Sequence, residues 1–319
     1  MAELDALKGI QLDPAQIQFV RKFLAHRNNF LVSKAARRVA EAELADLLPD
    51  VLAAYDRFFV DPVKTDPQCW AKTALAKALV KLEHRGKDAF LRGMRHHQLE
   101  PVWGGSSDTA GALRGACTHA LVDCPGISDS DLLTALLDPL VDEDKTVRVE
   151  AARAIAQVGG VSAPLILRLR VLLGKDEPEP EVMGACYAAL LSLEGAEAVP
   201  LVAKSLDAGD DLAAEAAYAL ADLRTPEALA ALTARLRAGA DPWFTAVLLS
   251  SIALTRLPDA VDLLIGLVAN DAREAPAAIE ALGRAAPSQQ LRARIQAAIE
   301  QADSPRLRQA FREHLPPSE

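Results

Sequence analysis

Along most of this chain apolar residues recur every three or four positions, the spacing that lines one face of an α-helix. The stretch Val147 to Val158 (VRVEAARAIAQV) supplies a template, with Ile155 as its apolar anchor. Matching anchors stand at Val39, Leu79, Leu121, Leu190, Leu220, Leu254, Leu282 and Phe311. In chain order the nine lie 40, 42, 34, 35, 30, 34, 28 and 29 residues apart. Alanine precedes the anchor in every copy except the first, where Arg38 stands. Three positions after it come Ala42, Leu82, Cys124, Val158, Leu193, Leu223, Leu257 and Ala285, with His314 the polar exception. A small residue beside a large one lets neighbouring helices approach closely. One helix pair cannot bury such a face alone, so successive pairs stack and share a core. Earlier amphipathic segments (132–141, 163–173 and 198–206) provide first helices, and Gly126, Gly159 and Gly195 suit left-handed caps. No alternating strand pattern competes. The pattern predicts an all-α solenoid of about nine helical pairs, the terminal ones weaker.

The strongest copy runs from Leu136 to Ile155 (LLDPLVDEDKTVRVEAARAI) and contains Asp144-x-x-Val147-Arg148. Leu48-Pro49, Ala163-Pro164 and Val199-Pro200 supply a proline early in first helices. On these residues the chain resembles HEAT-repeat, armadillo-like proteins, nearest to the bacterial HEAT-like repeats of phycobilisome lyases. The resemblance spans nearly the whole chain at repeat level, with one full match. It implies a right-handed alpha–alpha superhelix whose second helices line the concave surface. It also implies an aspartate–arginine ladder between repeats, involving Asp144 and Arg148. The repeats predict a single domain over 1–319, irregular in 1–125, regular in 126–315, with a tail at 316–319.

Composition agrees with helices: aromatic residues are only 4%, whereas sheets favour aromatic and β-branched side chains. No basic-then-apolar leader stands between Met1 and Val20, and no run of about 20 apolar residues occurs. Cys69, Cys117, Cys124 and Cys186 show no C-x-x-C spacing and read as reduced thiols. A cytoplasmic location without membrane contact is the expectation. Cys117, Cys124 and Cys186 occupy repeat core positions, leaving Cys69 as the candidate accessible thiol.

The net charge of −9 weighs against a generally basic nucleic-acid binder. It is unevenly spread: 1–125 carry 17 basic and 15 acidic residues with five of the six histidines, and 126–319 carry 18 and 29. Two long segments, 58–70 and 95–107, lie between the helices of their repeats and hold Trp70 and Trp103. Each tryptophan either offers a binding anchor or plugs a gap beneath its loop. In the repeat frame, exposed positions of the first four second helices carry Lys34, Arg37, Lys77, Lys81 and Arg153, and the ladder position carries Lys72, Arg114 and Arg148. This stripe is either a basic binding face or a set of solvated side chains and ladder arginines.

Candidate chemistry is sparse. His96 and His97, with His84 upstream, lack the converging ligands of a metal site. HEAT-like di-iron hydroxylases use His-Glu dipeptides, which this chain lacks; it has Glu83-His84 and Glu313-His314 instead. There is no nucleophile elbow or P-loop, and Gly104-Gly105-Ser106-Ser107 is a weak anion nest. The resulting expectation is a non-catalytic scaffold with no catalytic, metal or cofactor residues. It would bind a protein or peptide bearing an acidic or phosphate-bearing segment through Lys34, Arg37, Trp70, Lys77, Lys81, His96, His97, Trp103 and Arg153. The alternative is a nucleic-acid binder or HEAT-like DNA glycosylase on the same face, with Trp70, Trp103, Asp66 and Asp108 in the roles that resemblance implies. A metal-dependent or lyase-type enzyme ranks below both.

Overall fold

Alanine before the anchor does what close packing requires: Ala78, Ala120 and Ala154 are buried together with Val39, Leu79, Leu121 and Ile155. The structure, a computed structural model, describes residues 13–315 apart from residue 286. The predicted tail at 316–319 and the first twelve residues lie outside the described residues. The chain divides into two compact units, Met1–Ala163 and Pro164–Glu319.

The first unit contains α1 (Pro14–Leu24), α2 (Asn29–Glu41), α3 (Leu48–Arg57), the single turn α4 (Pro62–Thr65), α5 (Trp70–Lys81) and α6 (Lys87–Met94). A β-hairpin follows, β1 (Leu99–Val102) and β2 (Gly105–Asp108), then α7 (Gly111–Ala120), α8 (Asp129–Leu140) and α9 (Lys145–Val158). Asp13 and Gln16 form a reciprocal capping box on α1, and Asn28 caps α2. The second helices α2, α5, α7 and α9 pack in succession, each also meeting a first helix of the unit. Gly159 ends α9 at φ +68, where a side chain would be strained.

The second unit contains α10 (Ser162–Leu173), α11 (Pro180–Glu194), α12 (Val199–Ala203), α13 (Asp211–Leu223), α14 (Pro226–Arg237) and α15 (Pro242–Leu254). It ends with α16 (Pro258–Ala269), α17 (Ala275–Arg284), α18 (Gln289–Ala302) and α19 (Pro305–His314). Several helices open on proline, whose fixed φ suits the first turn and whose missing N–H costs nothing there. Here too the second helices α11, α13, α15, α17 and α19 pack in succession. The stretch Pro180–Ala208 is long and apolar enough to cross a membrane, by length and composition only. Gly195 interrupts it, and Val182, Met183, Cys186 and Leu190 are buried where α11 packs on α13.

The all-α expectation holds: the hairpin is the one sheet among the described residues. Two details differ from the repeat frame. In α15 the predicted anchor Leu254 is 42% exposed, whereas Ile252 is fully buried. The register there is two residues earlier, placing Ser251 in the usual alanine position. The other difference is the hairpin itself, read from sequence as a loop. Its strands pair Leu99 with Asp108, Glu100 with Ser107, Pro101 with Ser106 and Val102 with Gly105. It escaped the periodicity search because burial does not alternate along it; Glu100 is its one buried residue.

Candidate active site

Buried polar chemistry anchors the hairpin. Asp66 is fully buried and sits over the start of α5, its carboxylate accepting from the amides of Ala71 and Lys72 at 2.9 Å each. Asn29 on α2 donates to the same carboxylate at 3.0 Å, and the buried Lys72 ammonium closes an ion pair at 3.1 Å. Lys72 also donates to the Phe58 carbonyl. Gln68 and Cys69, immediately before α5, adopt left-handed conformations (φ +63 and +51) that L side chains seldom take.

Gln98 joins this anchor to the hairpin. Its amide nitrogen donates to the Asp66 carbonyl at 2.9 Å and to Glu100 at 2.7 Å. Glu100 accepts further bonds from the Gln68 amide, the Gln68 side chain and the Thr109 hydroxyl. Burial pushes the Glu100 carboxyl up, but the bonds from Thr109, Gln98 and Gln68 outweigh it and hold the group below its ordinary value. Cys69 donates to the Gln98 side-chain oxygen at 3.2 Å. It is fully buried and its thiol is pushed up to about 11 by desolvation, which corrects the expectation of an accessible thiol. Cys117, Cys124 and Cys186 are buried packing residues, as expected.

At the hairpin's base lies a charged relay. Arg114 on α7 is 2% exposed. Its Nε and Nη2 grip both oxygens of Asp142 at 2.8 Å, and Nη1 donates to Asp108 at 2.6 Å. Asp108 also accepts from the amides of Gln98 and Ala110 and lies 2.9 Å from Nδ1 of His97. Burial raises the Asp108 carboxyl, yet these donors together hold it well below the usual carboxylate range. An ionised carboxylate can only accept, so Nδ1 of His97 is the donor in this bond. His97 is exposed, 64% of its side chain meeting solvent. His96 instead turns inward; its Nε2 lies 3.2 Å from Gln98, and burial lowers its pKa.

His97 and Asp108 open onto a cleft of about 900 Å³ between the hairpin and α8. Asp131, Asp138, Asp142 and Glu143 also line it, against a single arginine, Arg95. Asp138 and Glu143 have no side-chain partner among the described residues. Leu99 forms an apolar part of the wall. Among the described residues no group of three or more His, Cys, Asp or Glu side chains could hold a metal ion.

The nine residues expected to bind a partner fall into separate groups. Trp70 rests 5.8 Å from Phe30, and the Lys34 ammonium lies 5.3 Å above the same Phe30 ring. Arg37, Lys77 and Lys81 are exposed on α2 and α5 beside them. Arg153, on α9, is ion-paired to Glu150 at 2.7 Å. His96, His97 and Trp103 belong to the hairpin region. The ladder residues Lys72, Arg114 and Arg148 are all buried and add nothing to a basic surface. The inter-repeat ladder also uses Asp142, not Asp144; Asp144 caps α9 through the Thr146 amide. Sequence reasoning missed Gln98, Glu100, Asp138 and Glu143. The signal available for Gln98 and Glu100 was a run of polar residues in the inserted segment that also holds Trp103.

No family model and no curated protein matches this chain. Among solved structures it is similar to the complex of CpcE and CpcF of phycocyanin lyase from Nostoc sp. PCC7120, at 17% identity and a TM-score of 0.39, covering 92% of this chain and 96% of that one. This finding corrects the expectation of a non-catalytic scaffold, and with it the expectation that the chain is no enzyme, because the solved structure found is a lyase. At that TM-score the likeness assigns no activity to this chain.

Proposed function

We propose that the first unit carries a proton-transfer site that acts on a substrate with a cationic group. The observation that supports this reading is the His97–Asp108 pair opening onto the acidic cleft. Asp108 accepts from Nδ1 and orients the imidazole, the part a carboxylate plays behind a catalytic histidine. Arg114 is a positioning residue, fixing Asp108 while remaining buried. Asp138 and Glu143 hold the substrate's cation, so that His97 exchanges a proton at an atom beside it.

Carbethoxylation by diethyl pyrocarbonate, mapped on the His97 peptide by mass spectrometry, tests the site. Asp108→Asn is expected to slow the reaction, since the imidazole loses the carboxylate that orients it. Spermidine, as a cationic probe, is expected to protect His97 saturably, and Asp138→Asn with Glu143→Gln to abolish protection. Equal reactivity in Asp108→Asn together with no protection by spermidine would sink the reading.

A further inference from the structure

We infer that the hairpin is the docking element for the substrate, and that the substrate is an extended protein segment with a basic residue about four positions from a large apolar one. This rests on the proton-transfer reading for the basic residue, and on separate observations for the apolar one. Trp103, at the hairpin tip, is fully exposed, and Leu99 and Val102 are 65% and 47% exposed. Nothing in the unit covers them. Exposed apolar side chains on a mobile loop would lose entropy on binding, but this hairpin is held from below by the buried carboxylate of Glu100 and by Gln98. Gly104, at φ +85, closes the turn beside Trp103 without a side chain.

The two ends of the hairpin present different chemistry. Leu99 pairs across the strands with Asp108, so the base of the hairpin is also the wall of the acidic cleft. Along an extended strand, Leu99 to Trp103 spans about 13 Å. A peptide lying along the hairpin in the same extended form would cover that span in about four residues. A lysine or arginine in the cleft, facing Asp138 and Glu143, therefore sets an apolar side chain against Trp103. Charge complementarity selects the basic segment, and the tryptophan supplies the aromatic contact that dominates interface energetics.

The test uses the full chain with Trp70→Phe and Trp243→Phe, leaving Trp103 as the reporter among the three tryptophans. The probe is the peptide Phe-Ser-Ser-Ser-Lys-Ser-Ser-Ser-Phe, which places phenylalanine four residues from lysine on either side. A saturable blue shift of Trp103 emission is expected. Replacing the peptide lysine by glutamate, or moving each phenylalanine to two residues from lysine, is expected to weaken binding about tenfold. Trp103→Ala, followed by calorimetry in the otherwise native chain, is expected to weaken it by a similar factor while leaving His97 carbethoxylation unchanged. Absence of a saturable shift, or equal affinity for the glutamate peptide, overturns the docking element. Because spermidine protection of His97 does not involve Trp103, failure of docking and failure of the proton-transfer site give different results.

Discussion

The two units follow one repeat pattern and fill their interiors differently. Among the described residues, those buried with a formal charge are Arg38, Asp66, Lys72, Glu100, Arg114 and Arg148, all in the first unit. The second unit buries only hydroxyl-bearing polar residues, Thr233, Ser251, Thr255 and Ser304. Its nearest approach to an interior ion pair is Arg170 with Glu177. Regular stacking needs apolar anchors and small neighbours, and the second unit supplies little else. The first unit adds desolvated charges, four of which (Asp66, Lys72, Glu100 and Arg114) belong to the network around Gln98 and Asp108. Such charges are costly to bury; these four hold the hairpin in one place. The difference separates what makes the fold from what makes the site.

The largest expected effect breaks the anchor of that arrangement. Lys72→Met removes the cation paired with the fully buried Asp66, and should destabilise the first unit by about 3–5 kcal/mol. Urea unfolding followed by the circular dichroism of the helices measures it. Adding Asp66→Asn to Lys72→Met should recover part of the loss, since the uncompensated charge is then gone. A neutral Lys72→Met would mean that the charged interior of the first unit has no structural role.

Acid should separate the units in a defined direction. Glu100 and Asp108 have folded pKa values below their unfolded ones, near 4. Their contribution is therefore present above the unfolded pKa and is lost as pH falls through the folded values. Glu215 in the second unit behaves oppositely: burial, then Glu181 and Asp211, raise its pKa. The folded second unit takes up that proton more readily than the unfolded chain, so acid relieves a penalty there. As pH falls below about 4, the protection of the Ser107 and Thr109 amides, relative to their intrinsic exchange, should drop before that within α13. Simultaneous loss of protection would contradict the assignment.

How much of this was legible in the sequence follows from the same contrast. Periodicity reports burial on one face, so it located Val39, Leu79, Ile155 and Leu220, which are all fully buried. It slipped at Leu254 because α15 is apolar on nearly every side, and a helix without a polar face has no readable register. The hairpin was illegible for another reason. Glu100 and Gln98 are polar yet buried, Leu99, Val102 and Trp103 apolar yet exposed, so the usual inference from residue type to location runs backwards there. Of the two readings left open for the basic stripe, Lys72 and Arg114 take the structural one, since Asp66, Asp108 and Asp142 lie beside them. Trp103 stood out because an aromatic residue in an inserted segment is conspicuous in a chain with so few, and the structure leaves it fully exposed at the hairpin tip.

The slip in register at α15 has its own consequence. Ser251 takes the place that alanine holds in the other second helices apart from α2, and its hydroxyl is buried without a hydrogen-bond partner. Ser251→Ala should stabilise the second unit by about 1 kcal/mol, because an unsatisfied buried hydroxyl carries a desolvation cost of that order. A destabilised Ser251→Ala variant would show that the hydroxyl has found a partner, and that even the regular unit relies on interior polar bonding.

The smallest expected effect is the most discriminating for the hairpin. Trp103 is the most exposed large hydrophobic side chain among the described residues. Trp103→Ala should leave stability within about 0.5 kcal/mol of the native protein, as surface substitutions usually do. The same change in a tryptophan that plugged a gap would cost about 3–5 kcal/mol. Thermal unfolding of the variant decides between these values. An unchanged midpoint together with weakened peptide binding means that the first unit keeps a large aromatic side chain in water for contact with another molecule. A lowered midpoint would return Trp103 to the structural role that tryptophan more often fills, and the hairpin would then be one more part of the packing.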